Sequence, residues 1–287
     1  MDGNPLCICD IISKKEVVCV LNRIIKINES GSVGAFATTY FWQENCEMPS
    51  KKRPVVVICP GGAYCSVSYR EGEPIALQFM AHGYNAVVLN YSVHPYAHYP
   101  TALFELGRVV QMLRERADEW LIDADKIMVM GFSAGGHLAA SYSCFWSRGF
   151  ISDALGCAKE ELKPNGLLLG YPVITSKHTL GGSFHHLLGD KYDELVEGMS
   201  LENQVTSDTP PTFIWHTFVD EAVSYKNSEL FEKALKEKNI AVELHIYPEG
   251  MHGLALANEV TAVDESQIVP SCQEWFERAL EWIKNTL

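Results

Sequence analysis

The sequence predicts an α/β fold, a three-layer sandwich with a mostly parallel central sheet, organised as a single domain over residues 1–287. Three observations predict it. Short, wholly apolar runs such as Pro54-Val-Val-Val-Ile-Cys59 read as strands buried on both faces, the pattern of parallel sheets. These runs alternate with amphipathic segments of helical length, as right-handed crossovers require. Between one run and the next helix lies Gly131-Phe132-Ser133-Ala134-Gly135, a strand-to-helix turn so tight that only hydrogen side chains fit beside the serine.

The elements follow in order. Glu16 to Ile27 and Ala37 to Gln43 flank a Gly31-Ser-Val-Gly34 turn and predict a hairpin spanning about residues 16–43. The Pro54–Cys59 strand ends at Gly61-Gly62. A helix is expected from Glu73, with Pro74 in its first turn, to His82, with Gly83 ending it. Asn85 to Tyr91 is the next strand. Thr101 to Trp120 carries Leu103, Leu106, Val109, Val110 and Leu113 on one stripe and predicts a long helix. Ile127 to Met130 leads into the Ser133 turn, and a helix is expected from Gly136. Gly166 to Leu169, Thr212 to Thr217 and Val242 to Tyr247 are three further strands, with helices over Val223–Lys238 and Pro270–Asn285. Residues 174–210 break the rhythm with Gly181-Gly182, His185-His186 and polar turns. They predict a lid-like insertion over the carboxyl edge of the sheet.

Composition excludes several function classes. The net charge is −13 and the basic residues are scattered, which argues against nucleic acid. The stretch Met1-Asp-Gly-Asn-Pro-Leu-Cys7 lacks a basic region and a long apolar core, and no apolar run is long enough to span a bilayer, so a cytoplasmic protein without membrane contact is expected. Nine cysteines is an odd number. Cys19, Cys59 and Cys144 sit in core-like runs as small hydrophobes, and Cys7-Ile-Cys9 has no second pair at zinc spacing. No metal and no cofactor are expected.

A serine between glycines at such a turn is a nucleophile awaiting a base, and the base needs an orienting acid. In an α/β sheet these groups come from loops at the carboxyl ends of strands. Among ten histidines, His245 lies within a strand and His137 along the helix after Ser133, both read as packed residues. His82, His94 and His98 precede the turn, and His185 and His186 lie in the insertion, positioned to touch a substrate. His252 follows the turn at the end of the last strand and precedes Gly253, and it is the candidate base. The acid belongs to the loop after Thr212–Thr217, where Asp220 and Glu221 are adjacent. Asp208 lies on the wrong side of that strand. The assignment is Asp220, and sequence alone does not exclude Glu221. The chain order serine, acid, histidine fits one known arrangement on this topology. For the developing oxyanion, one donor is the Ala134 N–H at the helix start. The second is expected from the Pro60-Gly61-Gly62-Ala63-Tyr64 loop.

These residues resemble the α/β-hydrolase esterases of the acetyl-esterase and acetylxylan-esterase-like group, allied to the hormone-sensitive-lipase branch. The likeness runs from about Pro54 to the C-terminus. It is carried by Cys59-Pro-Gly-Gly-Ala-Tyr64, Arg70-Glu-Gly-Glu-Pro74, Leu89-Asn-Tyr-Ser-Val93, Gly131-Phe-Ser-Ala-Gly-Gly-His137, Trp215-His-Thr-Phe-Val-Asp220 and Gly250-Met-His-Gly253. By similarity Ser133 is the nucleophile, Asp220 the acid, His252 the base, and Gly62, Ala63 and Ala134 the oxyanion donors. One departure stands out. Where that branch has His-Gly-Gly-Gly, Pro60 replaces the histidine and Ala63 the last glycine, which leaves the identity of the second donor open. The resemblance implies cofactor-free hydrolysis of short acyl esters, often acetyl groups on plant-polysaccharide sugars. Without a signal peptide, the expected substrate is a small acetylated oligosaccharide rather than intact xylan. Gly61, Tyr64, Tyr69, Tyr91 and His216 are candidates to line the substrate pocket, half-buried packing being their alternative. Two rival readings are a serine peptidase or amidase of the prolyl-oligopeptidase type and a non-catalytic α/β-hydrolase binding module. The sequence leaves open whether the chain works alone or as a homo-oligomer.

Overall fold

A computed structural model describes residues 20–44, 51–178 and 182–287. The expected strand residues 16–19, the cysteines Cys7, Cys9 and Cys19, and Gly181 lie outside the described residues. Eight strands form one sheet: β1 (Val20–Lys26), β2 (Phe36–Trp42), β3 (Arg53–Cys59), β4 (Asn85–Asn90), β5 (Ile122–Phe132), β6 (Gly166–Gly170), β7 (Thr212–Thr217) and β8 (Val242–Tyr247). Their spatial order is β1-β2-β4-β3-β5-β6-β7-β8. β1 and β2 form the expected hairpin, and β2 continues antiparallel onto β4, so the hairpin is the edge of the main sheet. From β4 to β8 every pairing is parallel.

Strand alternation sorts the core into two layers. Val55, Val57 and Cys59 of β3 face one way, with Val129 of β5 and Ile214 of β7. They pack on α2 (Thr101–Glu115), α3 (Ser133–Phe145), α4 (Gly149–Leu155) and α7 (Lys226–Glu237). Val56 and Ile58 face the other way with Met128, Met130 and Trp215. That layer is closed by α1 (Glu73–Ala81), α8 (Pro270–Gln273) and α9 (Trp275–Thr286). Burial on both faces is why these strands read as unbroken apolar runs. No described helix is long and apolar enough to cross a membrane.

Boundaries moved where a loop had other work for the backbone. α2 ends at Glu115 rather than Trp120, because Ala117 accepts the Ile122 N–H and Leu121 turns into a left-handed conformation (φ 52°) to enter β5. α7 starts at Lys226 rather than Val223, because the Ala222 and Val223 N–H groups are already bonded to the Asp220 carboxylate. α3 starts at Ser133 itself. The insertion folds into α5 (Ser183–Leu188), α6 (Tyr192–Leu195) and short 3₁₀ turns. It turns Phe184, Leu187, Leu188, Met199 and Leu201 inward and leaves Asp190, Lys191, Asp193, Glu194 and Glu197 exposed.

The order of the strands reverses at β3. The chain runs from β3 outward to β4, then back past β3 to β5. The loops after β3 and β5 therefore lead to helices on opposite faces of the sheet, α1 and α3, at the switch point where open α/β sheets bind ligands. On the far half of the sheet, Trp215 of β7 stacks on Trp275 of α9 with ring centroids 5.1 Å apart, and the Trp275 Nε1–H donates to Ala255 O at 2.9 Å. Both indoles are fully buried. We expect Trp275→Ala to lower the unfolding free energy by about 3–5 kcal/mol through cavity formation, read as a fall in the urea midpoint. An unchanged midpoint would mean that α9 contributes little to that half of the core.

Candidate active site

Backbone contact, more than side-chain chemistry, builds the turn at Ser133. A Cβ on Gly135 would lie 2.1 Å from Cys59 O and 2.3 Å from Pro60 O, and a Cβ on Gly131 would lie 2.1 Å from Gly135 O. Neither position tolerates a side chain. The first turn of α3 is thus pressed against the end of β3. Ser133 is held at φ 52°, a region that L-residues occupy only at a cost of order 1–3 kcal/mol. The hydroxyl is thereby lifted out of the helix, while the Ala134 N–H stays in the first turn, where it has no intrahelical partner.

The loop after β3 lies directly beside it. A Cβ on Gly61 would come within 2.9 Å of Ser133 Cβ. Gly62, Ala63 and Tyr64 all have positive φ (134°, 53° and 58°), and among the described residues the Gly62 and Ala63 N–H groups have no hydrogen-bond partner. The insertion supports this loop from outside, since the His186 Nδ1–H donates to Ala63 O at 2.8 Å.

Two more loops bring the remaining groups. His252 Nε2 is 2.8 Å from Ser133 Oγ, and the His252 Nδ1–H donates to Asp220 Oδ2 at 2.6 Å. Asp220 is buried, and its other oxygen accepts the Ala222 and Val223 N–H groups at 3.0 and 2.9 Å. Burial alone would raise the Asp220 carboxyl. Hydrogen bonds from His216 and His252, the charge of His252 and the Val223 N–H outweigh burial and hold it well below the usual carboxylate range. Glu221, the sequence-level alternative, is exposed and points into an outer cleft of about 690 Å³ that touches His252 but is not lined by Ser133. The neighbours are separated by burial, which no local sequence feature revealed.

Several expected substrate contacts are corrected. Tyr64, Tyr91 and His216 are buried and fully engaged in holding loops. The Tyr64 hydroxyl donates to His137 Nδ1 at 2.9 Å, and the Tyr91 hydroxyl donates to Pro60 O at 2.7 Å. His216 accepts from the Ser228 hydroxyl, donates to Val223 O, and lies 3.4 Å from Asp220 Oδ2. Gly61 shapes the loop but has no free N–H, since Glu71 Oε2 accepts it at 2.7 Å. Tyr69, by contrast, is exposed. His137 is structural as expected: burial lowers it to about 4, and its Nε2–H donates to Met199 O. His245 pairs with Glu243 at the sheet edge. His185 stacks on Tyr192, away from any bond to the loop. His94 stacks on His186 and lies within hydrogen-bond distance of His98, and no described group of three or more His, Cys, Asp or Glu is arranged to hold a metal. Sequence reasoning missed Glu71 and Tyr171, whose signal was only an acidic residue ahead of a helix and a tyrosine after a strand.

Residues 45–153, which carry the β3 loop and Ser133, match the BD-FAE family, and residues 166–284, which carry Asp220 and His252, match the prolyl oligopeptidase family. The chain is 36% identical over 242 residues to endo-1,4-beta-xylanase B of Butyrivibrio fibrisolvens, covering 81% of this chain and 37% of that one. It is 28% identical over 215 residues to an acetylxylan esterase of Xylanibacter ruminicola, covering 72% and 42%. The chain spans between 37% and 54% of the length of the first curated relatives it matches. Among solved structures, an acetyl ester-xyloside bifunctional hydrolase of Caldicellulosiruptor lactoaceticus superposes with TM-score 0.76 at 35% identity, over 88% of each chain. A carboxylesterase of Lactobacillus plantarum superposes with TM-score 0.81 at 28% identity, over 93% of this chain and 97% of that one. The 35% identity to the first of these, over 88% of each chain, goes beyond a shared topology, and the chain belongs to the α/β-hydrolase family that includes these esterases.

Proposed function

We propose that the chain hydrolyses short-chain acyl esters through an acyl-enzyme, with acetyl groups on xylo-oligosaccharides as its substrate class. The observation that carries this reading is the unbroken hydrogen-bonded line from Ser133 Oγ through His252 to Asp220. In the first half-reaction Ser133 Oγ bonds to the ester carbonyl carbon while His252 Nε2 takes the hydroxyl proton. The oxyanion is received by the Ala134 N–H and by an N–H of Gly62 or Ala63. Collapse breaks the carbon–oxygen bond to the alcohol, which leaves with the proton from His252. Water then attacks the acyl-serine, His252 takes its proton and returns it to Ser133, and the free acid departs. Asp220 holds the imidazole in the tautomer whose Nε2 accepts, and stabilises the imidazolium that forms.

Two features support a short acyl group, and a third supports a sugar alcohol. The described residues of the insertion turn Phe184, Leu187, Leu188, Met199 and Leu201 into the core and show charged side chains to solvent, which leaves little apolar surface there to shelter a fatty chain. The void behind the loop, lined by Tyr64, Tyr99, Leu103, Leu138 and Leu187, holds only about 10 Å³, room for one water at most. The xylan-related names of three relatives fit a sugar as the alcohol component. A peptidase reading draws on the prolyl oligopeptidase match, but that match begins at residue 166, after Ser133 and its loop.

We expect kcat/KM on 4-nitrophenyl esters to be highest for acetate and to fall with chain length, acetylated xylobiose to be deacetylated, and an aminoacyl-arylamide to be left intact. A groove would gain about 0.8 kcal/mol per buried methylene, so a rise from acetate to octanoate would overturn the short-chain assignment. Ser133→Ala should reduce kcat to below about a thousandth while the circular-dichroism spectrum is unchanged.

The acid is tested separately. Asp220→Asn should lower kcat on the order of ten-thousand-fold by favouring the wrong tautomer, whereas Glu221→Gln should leave it nearly unchanged. The reverse ranking would move the acid to Glu221.

The lowered carboxyl of Asp220 also carries a pH signature. A depressed folded-state value means that its ionisation stabilises the fold fully above the unfolded value of about 4 and that this contribution is lost as pH falls below it. Wild type should therefore exceed Asp220→Asn in urea midpoint at neutral pH, with the gap narrowing under acid. A gap that stays constant into the acid range would contradict it.

A further inference from the structure

A buried carboxylate must find donors for both oxygens. Those of Glu71, which is 5% exposed, come from opposite walls of the site. Oε2 accepts the Gly61 N–H at 2.7 Å, at the root of the loop that flanks Ser133. Oε1 accepts the Tyr171 hydroxyl at 2.7 Å. The Tyr171 oxygen in turn accepts the Ala255 N–H at 2.9 Å, and its ring meets the His252 imidazole edge-on at 5.1 Å. Arg70, the preceding residue, grips the same far segment, donating to Gly253 O at 2.9 Å and to Thr261 O. The Gly61 loop follows β3 and the His252 loop follows β8, with β5, β6 and β7 between them. The two strands do not pair with each other, so no ladder hydrogen bond joins the two loops directly.

We propose that Glu71, seconded by Arg70, is a positioning residue of the hydrolytic reaction: a strut through Tyr171 that sets the oxyanion loop and the His252 loop at their working separation over Ser133. Two donors converge on it, Gly61 N–H and Tyr171 O–H, so both oxygens must accept. Tyr171 remains a donor, since burial and then the charge of Glu71 hold its phenol far above the ordinary value. Glutamine has the same shape but one acceptor, and it must present an NH₂ to one of the two donors. Glu71 touches neither the ester nor Ser133 Oγ, so its effect is on alignment.

The experiment measures kcat, KM and thermal midpoint with 4-nitrophenyl acetate for the full chain, Glu71→Gln, Tyr171→Phe and the double variant. Each single change should lower kcat about 10–100-fold, the scale of a misalignment near 1 Å. KM should stay within about twofold, since ground-state binding is untouched. The double variant should be no slower than the worse single one, because breaking either end releases the same strut. Losses of kcat that multiply in the double variant, or that track loss of folded protein, would reduce Glu71 to a purely structural residue and overturn the proposal. So would a Glu71→Gln enzyme with wild-type kcat. If Glu71→Gln does not fold, Tyr171→Phe and Arg70→Met carry the test, with the same fall in kcat expected and wild-type kcat in both overturning it. The inference rests on the roles given above to Ser133 and His252. Failure of that reading shows as an active Ser133→Ala enzyme, and failure of this one as an inert Glu71 in an enzyme that still needs Ser133.

Discussion

The structure depends on one close approach, that of the first turn of α3 against the end of β3. With Gly135 lying where any Cβ would collide with the Cys59 and Pro60 carbonyls, the two backbones meet without intervening side chains. Everything at the site inherits its position from that contact. It forces Ser133 into a left-handed conformation, frees the Ala134 N–H at a helix N-terminus, and sets the Gly61–Tyr64 loop beside the hydroxyl. Positive φ at Ala63, Tyr64 and Ser133 stores strain, and such strain persists only where the surroundings over-determine it. Here the surroundings are a sheet buried on both faces and a helix that cannot withdraw without opening the core.

Electrostatics adds the second layer. Asp220 is an anion removed from water, a state that is tolerable only when donors replace the lost hydration. Two backbone N–H groups and His252 do so directly, and His216 stands at 3.4 Å. The same bonds that keep the carboxylate ionised also fix its direction, so the imidazole it holds is aimed at Ser133. His216 is itself anchored by Ser228 and Val223, so the acid rests on α7 as well as on β7. The delayed start of α7 is the local trace of this arrangement, because N–H groups that would have opened the helix serve the carboxylate instead.

The described part of the insertion is bonded to the loop beside Ser133. His186 bonds to Ala63 and Met199 bonds to His137, which in turn accepts from Tyr64, so the insertion braces the oxyanion loop from two directions.

Sequence alone determined what short-range physics encodes. Apolar runs gave the strands, the Gly131–Gly135 spacing located Ser133, and post-strand position selected His252, because each signal rests on residues adjacent in the chain. The prediction of α2 overran by five residues and that of α7 began three early, since an amphipathic stripe does not show which N–H groups a distant carboxylate or a turn will claim. Tertiary structure decided the rest. It separated buried Asp220 from exposed Glu221, turned Tyr64, Tyr91 and His216 from presumed pocket walls into braces, and joined Glu71 to Gly61 and Tyr171. Those assignments depend on burial and on partners up to a hundred residues away, which are properties of the packed sheet rather than of any segment within it.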